Sequence, residues 1–325
     1  MHYQKLVQDV INGKKLDFNE ALQLIKTSDE NTFDLLSAAN KIRQIYKGNK
    51  VKLCAIVNAK SGKCSENCSF CAQSGHFKTD ADVYPLMTEQ EIFDYAQNAE
   101  NNMKASCFSV VTSGKSVVSD KELENIGMAL ENITNKTDMN RCVSMGTLSL
   151  DQLKKLKSKG LKRLHHNLET AKSFFDNICT THTFEERINT IKAAKEAGLE
   201  VCSGGIFGLG ESEAQRIELA FTLRDLDVES IPINILNPIK GTPAYENYKS
   251  MKPLEVLRLV ATYRFIMPKA DIGLFGGRER SLKELQPLMF IAGANVTLVG
   301  NYLTTTGQEP SKDLQMIENL GLELV

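Results

Sequence analysis

The rhythm of apolar and polar positions changes near residue 50. Residues 1–48 read as helical: Asp17 is placed to cap a segment with Ala21, Leu22, Leu24 and Ile25 near helical spacing, and a second helix is predicted over 32–46. From Val51 onward, short apolar runs alternate with longer amphipathic stretches. The runs predict strands over 52–57, 105–112, 141–144, 162–166, 200–203, 230–235, 272–275 and 296–299. The stretches predict helices over 89–101, 120–132, 150–158, 184–197, 211–226, 253–265 and 282–291. Gly160 and Gly198 fall where helix C-caps are expected, each just before a strand. Strand–helix alternation means parallel βαβ units. Eight strands over about 250 residues fit an α/β fold of the (β/α)8 TIM type, with a doubly wound sheet as the runner-up. The expected organisation is an N-terminal helical extension over 1–48, a barrel over 49–305 and a C-terminal tail over 306–325 packed on the barrel.

Composition narrows the class. The 325 residues are 42% hydrophobic and 24% charged, enough for a large core and ordinary for a water-soluble chain. A net charge of −1 leaves no electrostatic footprint for nucleic acid or an anionic membrane surface. Residues 1–15 lack the apolar stretch of a signal peptide, and no run of apolar residues is long enough to span a bilayer. The eight cysteines are spread over a long chain with three bunched together, which fits a reducing cytoplasm better than a secreted disulfide framework.

The bunched three, Cys64, Cys68 and Cys71, form a CxxxCxxC triplet. A [4Fe–4S] cluster ordinarily takes four cysteines, so three thiolates leave one iron open to a ligand that is not protein. Zinc would need a second cysteine pair or close histidines to complete a tetrahedron, and only His76 is near. The triplet follows the first predicted strand, at the end of the barrel where active sites lie.

Five cysteines remain. Cys107, Cys142 and Cys202 fall in the second, third and fifth predicted strands and could aim at one interior point, making a second, deeper metal site. Each taken alone reads more readily as a small buried hydrophobe. Cys54 in the first strand and Cys179 in a loop read as structural. After Cys202 the run Ser203-Gly204-Gly205-Ile206-Phe207-Gly208-Leu209-Gly210 does not have the glycine order of a dinucleotide fold. It suits a backbone passing close to a bulky ligand, or a flexible loop. His165 and His166 are adjacent on a strand, so one is expected to face the cavity and the other to pack outside. Asn167, Glu169 and Asn234 end their strands with side chains able to hold hydroxyl or ureido groups.

With these residues in place, the chain resembles the radical S-adenosylmethionine (SAM) enzymes and, within them, the biotin synthase family. CxxxCxxC with Phe70 before the last cysteine carries the first likeness. The second rests on an ordered set: His166-Asn-Leu-Glu-Thr170, Val201-Cys-Ser-Gly-Gly205, Ile231-Pro-Ile-Asn234, Lys240-Gly-Thr-Pro243, Gly276-Gly-Arg-Glu279 and Leu303-Thr-Thr305. The resemblance implies a [4Fe–4S] cluster on Cys64, Cys68 and Cys71 whose open iron binds SAM. One electron, from a donor such as flavodoxin or ferredoxin, then yields a 5′-deoxyadenosyl radical. That radical takes hydrogen from C9 and C6 of dethiobiotin, and sulfur from an auxiliary cluster on Cys107, Cys142 and Cys202 bridges the two carbons. It further implies cofactor contacts from Phe70, Asn167, Glu169, Gly204 and Gly205, substrate contacts from Asn167, Asn234 and His165, and a homodimer. An enzyme of the same superfamily with a different substrate is the alternative. An iron–sulfur electron carrier would be shorter, with four cysteines to each cluster.

The match fails in three places around the auxiliary site. The family's arginine ligand of a [2Fe–2S] cluster corresponds to Gly273, a second arginine to Ala105, and an asparagine to His165. Loss of a bulky cation makes room for a larger, four-iron cluster. Its fourth terminal ligand would be an extra sulfide, with Cys179 or His165 as protein alternatives.

Overall fold

The computed structural model describes residues 3–116, 119–247 and 249–325. Its centre is a closed parallel sheet. Strands β1 (Lys50–Lys60), β2 (Cys107–Thr112), β3 (Asn140–Ser144), β4 (Arg163–His165) and β5 (Glu200–Cys202) pair in order. β6 (Gly205–Phe207) continues the fifth stave and, like β5, pairs with β7 (Ser230–Ile235). β8 (Asp271–Leu274) and β9 (Val296–Leu298) follow, and β9 closes on β1. This is the eight-stave (β/α)8 barrel; the doubly wound alternative, which has open edges, is excluded by the β9–β1 pairing.

Alternation explains how β1 serves both layers. Val51, Leu53, Ala55, Val57 and Ala59 are buried against the outer helices. Lys52, Cys54, Ile56, Asn58 and Lys60 turn to the other side, the inside of the barrel. The helices wrap this sheet. α1 (Tyr3–Ile11), α2 (Phe18–Ile25) and α3 (Thr32–Lys47) precede it, and α2 starts at an Asp17 capping box. α4 (Glu89–Met103), α5 (Asp120–Lys136), α6 (Leu150–Ser158), α7 (Phe184–Glu196) and α8 (Glu213–Asp225) are the crossovers. Gly160 and Gly198 end α6 and α7 with φ of +97° and +72°, a left-handed conformation that glycine adopts without penalty. After the short α9 (Pro243–Glu246), α10 (Pro253–Ile266) packs on α2 and α3.

Two elements differ from the sequence expectation. The helix expected over 282–291 is broken into α11 (Arg278–Leu282), a 3-10 turn at Lys283–Leu285 and α12 (Leu288–Ile291); the break falls at Lys283, whose φ of +51° lies outside the right-handed helical region. The fifth strand is interrupted between Cys202 and Gly205, where Ser203 and Gly204 step across Pro232. The tail forms α13 (Pro310–Asn319) and β10 (Glu323–Leu324), which adds to β1 in parallel at Lys50 and Val51.

Candidate active site

One cavity of ≈430 Å³ runs from the mouth of the barrel to its floor. At the mouth, the loop after β1 carries Cys64, Cys68 and Cys71, all lining the cavity with Phe70. The loop is pinned by its own backbone: Gly75 N donates to Cys64 O at 2.7 Å and Cys71 N to Cys68 O at 3.0 Å. The 178–182 segment braces it, with Ser69 N on Ile178 O at 2.8 Å and His182 Nδ1 on Glu66 Oε2 at 2.5 Å. Burial pushes the Cys71 thiol up to about 11; Cys68 is raised by its contact with Cys179 and by burial. Metal binding would displace these thiol protons.

Cys179 is therefore not a floor residue. Its Sγ is 3.7 Å from Cys68 Sγ and 3.2 Å from His182 Nδ1, at the mouth. The expectation that it could ligate the deeper site is corrected: its loop follows β4 and ends beside the first cysteine set.

The floor carries Cys107, Cys142 and Cys202, brought together from β2, β3 and β5 as the sequence anticipates. Sequence reasoning missed two neighbours. Cys54, read as structural, lines the same cavity, and so does Arg163 of β4. Their signal was phase: Cys54 shares its strand face with Ile56 and Asn58, and Arg163 stands two before His165. Arg163 is buried, with Nε and Nη2 on Glu200 Oε2 at 3.0 and 2.6 Å. Burial works against its charge; the three cysteines as thiolates, and Glu200, work the other way. Burial raises the Cys142 thiol well above its ordinary value and Cys202 to about 11.

Both histidines reach the cavity, against the expectation that one packs outside. β4 ends at His165, so strict alternation no longer governs His166. His165 Nδ1 is 3.3 Å from Cys202 Sγ, and burial lowers its pKa to about 4, with Arg163 adding to the effect.

Between mouth and floor stand the polar residues. Asn167 Oδ1 accepts from Gly204 N at 3.1 Å. Asn234 Oδ1 accepts from Gly276 N at 3.0 Å, and its Nδ2 donates to Gly205 O at 3.3 Å. Both asparagines line the cavity while fastening its walls. Glu169 has φ +69° and a buried Oε2 with no hydrogen-bond partner; burial raises its pKa, and Arg187 works in the opposite direction. An orphaned acceptor inside a cavity suits the hydroxyls of a bound nucleoside. Gly204 and Gly205 act differently from the ligand-approach reading. A Cβ on Gly204 would lie 1.9 Å from Pro232 O, and one on Gly205 2.4 Å from Glu169 O, so these glycines let neighbouring backbones meet. Gly273 has no room either: its Cβ would stand 2.5 Å from Phe275 Cε2 and from Val296 O.

The donor set fits iron–sulfur chemistry, with three thiols on one loop facing an orphaned carboxylate and a second thiol set beneath. The profile of the radical SAM superfamily matches residues 59–223, which defines the class of this barrel and its cysteine loop. The profile of the biotin and thiamin synthesis associated domain matches residues 232–323. A biotin synthase of Geotalea daltonii is 48% identical over 324 residues, covering 100% of this chain and 98% of its own. One of Pelotomaculum thermopropionicum is 47% identical, covering 99% and 100%. The chain belongs to the biotin synthase family. Among solved structures, methylornithine synthase shares the fold with a TM-score of 0.85 at 20% identity, covering 98% of this chain and 97% of its own. The FeFe-hydrogenase maturase of Carboxydothermus hydrogenoformans does so at 0.82 and 17%, covering 99% and 79%.

Proposed function

We infer that the chain converts dethiobiotin to biotin, inserting sulfur between C6 and C9 as a radical SAM sulfurtransferase. The observation that carries this is that one cavity has one thiol set at its mouth and another at its floor. Cys64, Cys68 and Cys71 would hold the [4Fe–4S] cluster, which supplies an electron to cleave SAM and generate a carbon radical. Cys107, Cys142 and Cys202 would hold the auxiliary cluster that supplies sulfur.

The chain's own residues do the positioning. Glu169 would accept from the ribose hydroxyls with its free Oε2. Asn167, Asn234 and His165 would face the ureido end and chain of dethiobiotin. Phe70 lies against the cofactor side, and Gly204 and Gly205 shape that wall through Asn167 and Asn234. The barrel wall keeps water from the reacting carbons, which a primary radical requires. The auxiliary cluster is a four-iron one: Gly273 brings no side chain, and the floor is cysteine-rich. The reading extends to a barrel over 49–305 with helical extension and docked tail, to a homodimer in the cytoplasm, and to flavodoxin or ferredoxin as reductant. Among the described residues no helix is long and apolar enough to cross a membrane.

Anaerobically reconstituted protein, given SAM and dithionite, is expected to form 5′-deoxyadenosine and methionine, and biotin once dethiobiotin is added. Deoxyadenosine without biotin would reject dethiobiotin as substrate and leave a related radical enzyme with another substrate.

A further inference from the structure

The auxiliary site has one thiol more than the three that the resemblance supplies. β1 turns Cys54 inward in phase with Ile56, and both line the cavity. Its register partner on β2 is Cys107, which lines the same cavity. Cys54, Cys107, Cys142 and Cys202 thus converge from β1, β2, β3 and β5, and β4, the strand between, sends Arg163 among them. Arg163 lines the same cavity as all four cysteines. Cys54, Cys107 and Arg163 also line the cavity on the far side, so they are the floor itself.

A four-iron core has four terminal positions, and thiolates ordinarily fill them. β8 cannot supply one, because Phe275 and the Val296 carbonyl occupy the space beside Gly273. Cys179 is at the mouth with Cys68. His165 offers an imidazole already bonded to Cys202. Cys54 offers a thiolate from a strand with no other ligand.

We propose that Cys54 is the fourth protein ligand of the auxiliary cluster, completing a Cys54, Cys107, Cys142 and Cys202 set with Arg163 as its buried counter-charge. The proposal rests on the reading that this floor holds a cluster. Ligation exchanges the S–H bond of Cys54 for an S–Fe bond; the proton leaves to solvent and no oxidation state changes. A cluster of four thiolates is anionic, and a paired guanidinium in contact with the floor offsets that charge where water cannot.

The test isolates the auxiliary site in a background with Cys64, Cys68 and Cys71 all changed to alanine. That protein, reconstituted anaerobically with iron and sulfide, should bind about four irons per chain with a four-iron Mössbauer signature. Adding Cys54→Ser or Cys54→Ala should lower iron retention after desalting at least severalfold, or leave a three-iron EPR signal, with Cys142→Ser as the positive control. Unchanged melting of the iron-free variants excludes misfolding as the cause. Iron, sulfide and Mössbauer spectra unaltered by both Cys54 substitutions would overturn the proposal, and a surplus sulfide in that unaltered cluster would assign the fourth position to sulfide. A background protein that binds no iron with Cys54 intact would instead remove the auxiliary cluster, and this proposal with it.

Discussion

Arg278 Nη2 donates to both carboxylate oxygens of Asp313, at 2.7 and 2.9 Å, and neither side chain is more than 1% exposed. This pair joins the segment after β8 to α13 and is the buried fastening of the tail. Removing the Asp313 charge leaves buried Arg278 with only the longer, partly exposed pairing to Glu279 at 3.7 Å. Asp313→Asn is expected to destabilise the chain by about 3–5 kcal/mol, read as a lower midpoint in urea. A variant as stable as the parent would mean that the tail docks without this pair.

Asp271 sets an acid limit at the other end of the barrel. Burial pushes its carboxyl up, but Lys47 at 2.8 Å and Lys52 at 2.7 Å outweigh that and hold it well below the usual carboxylate range. The folded state therefore binds this proton less readily than the unfolded chain. The stabilisation is complete above the unfolded value of about 3.9 and is lost as pH falls from there toward the folded one. Asp271→Asn should lower stability at neutral pH and flatten its decline below about pH 4, measured by urea melts across pH. Parallel curves for variant and parent would contradict this.

Glu169 is expected to matter for binding. Losing a charge-assisted hydrogen bond costs about 1.5–3 kcal/mol, so Glu169→Ala should weaken SAM binding roughly ten- to hundredfold. Titration calorimetry on the reconstituted protein reads this directly. An unchanged Kd would place the ribose elsewhere.

Restoring an arginine at Gly273 is expected to fail. The Cβ alone collides with Phe275 and with the Val296 carbonyl. Gly273→Arg should destabilise the iron-free protein by about 1–3 kcal/mol and not yield a stable [2Fe–2S] cluster. A well-folded variant with a clean [2Fe–2S] spectrum would show that β8 has more give than its packing indicates.

Gly204→Ala places a Cβ 1.9 Å from Pro232 O, a backbone atom that cannot step aside. Its cost is of the same order, about 1–3 kcal/mol, and should appear as a lower melting temperature even without metal. No change in melting would show that the fifth stave can shift away from β7.

What the sequence made legible follows from how each signal is encoded. The strand runs were visible because parallel barrel strands are buried on both faces and bounded by helix caps such as Gly160 and Gly198. The triplet was visible because its three ligands are local. The deeper site was legible only as scattered cysteines, since it is assembled from strands far apart in the chain. The place of Cys54 on the cavity wall was not legible because a lone cysteine in a strand looks the same whether it faces the core or the cavity, and only the β1–β2 register sets it against Cys107. Arg163 was overlooked because an arginine in a short strand gives no hint that Glu200 waits on the next one. Cys179 was misplaced because its loop leaves β4 and returns to Cys68.

The eleven residues of β1 connect the two cysteine sets through one strand, with Cys54 near its start and the Cys64 loop after its end. β1 is thus a ruler. At about 3.3 Å per residue, inserting two residues after Cys54 would keep every side chain on its own face yet lengthen the span by about 7 Å. Such a chain could load both cysteine sets with iron and still hold the radical source and the sulfur donor too far apart for one small molecule to touch both. The length of this strand, as much as the identity of any ligand, fixes the size of molecule that the barrel can thread with sulfur.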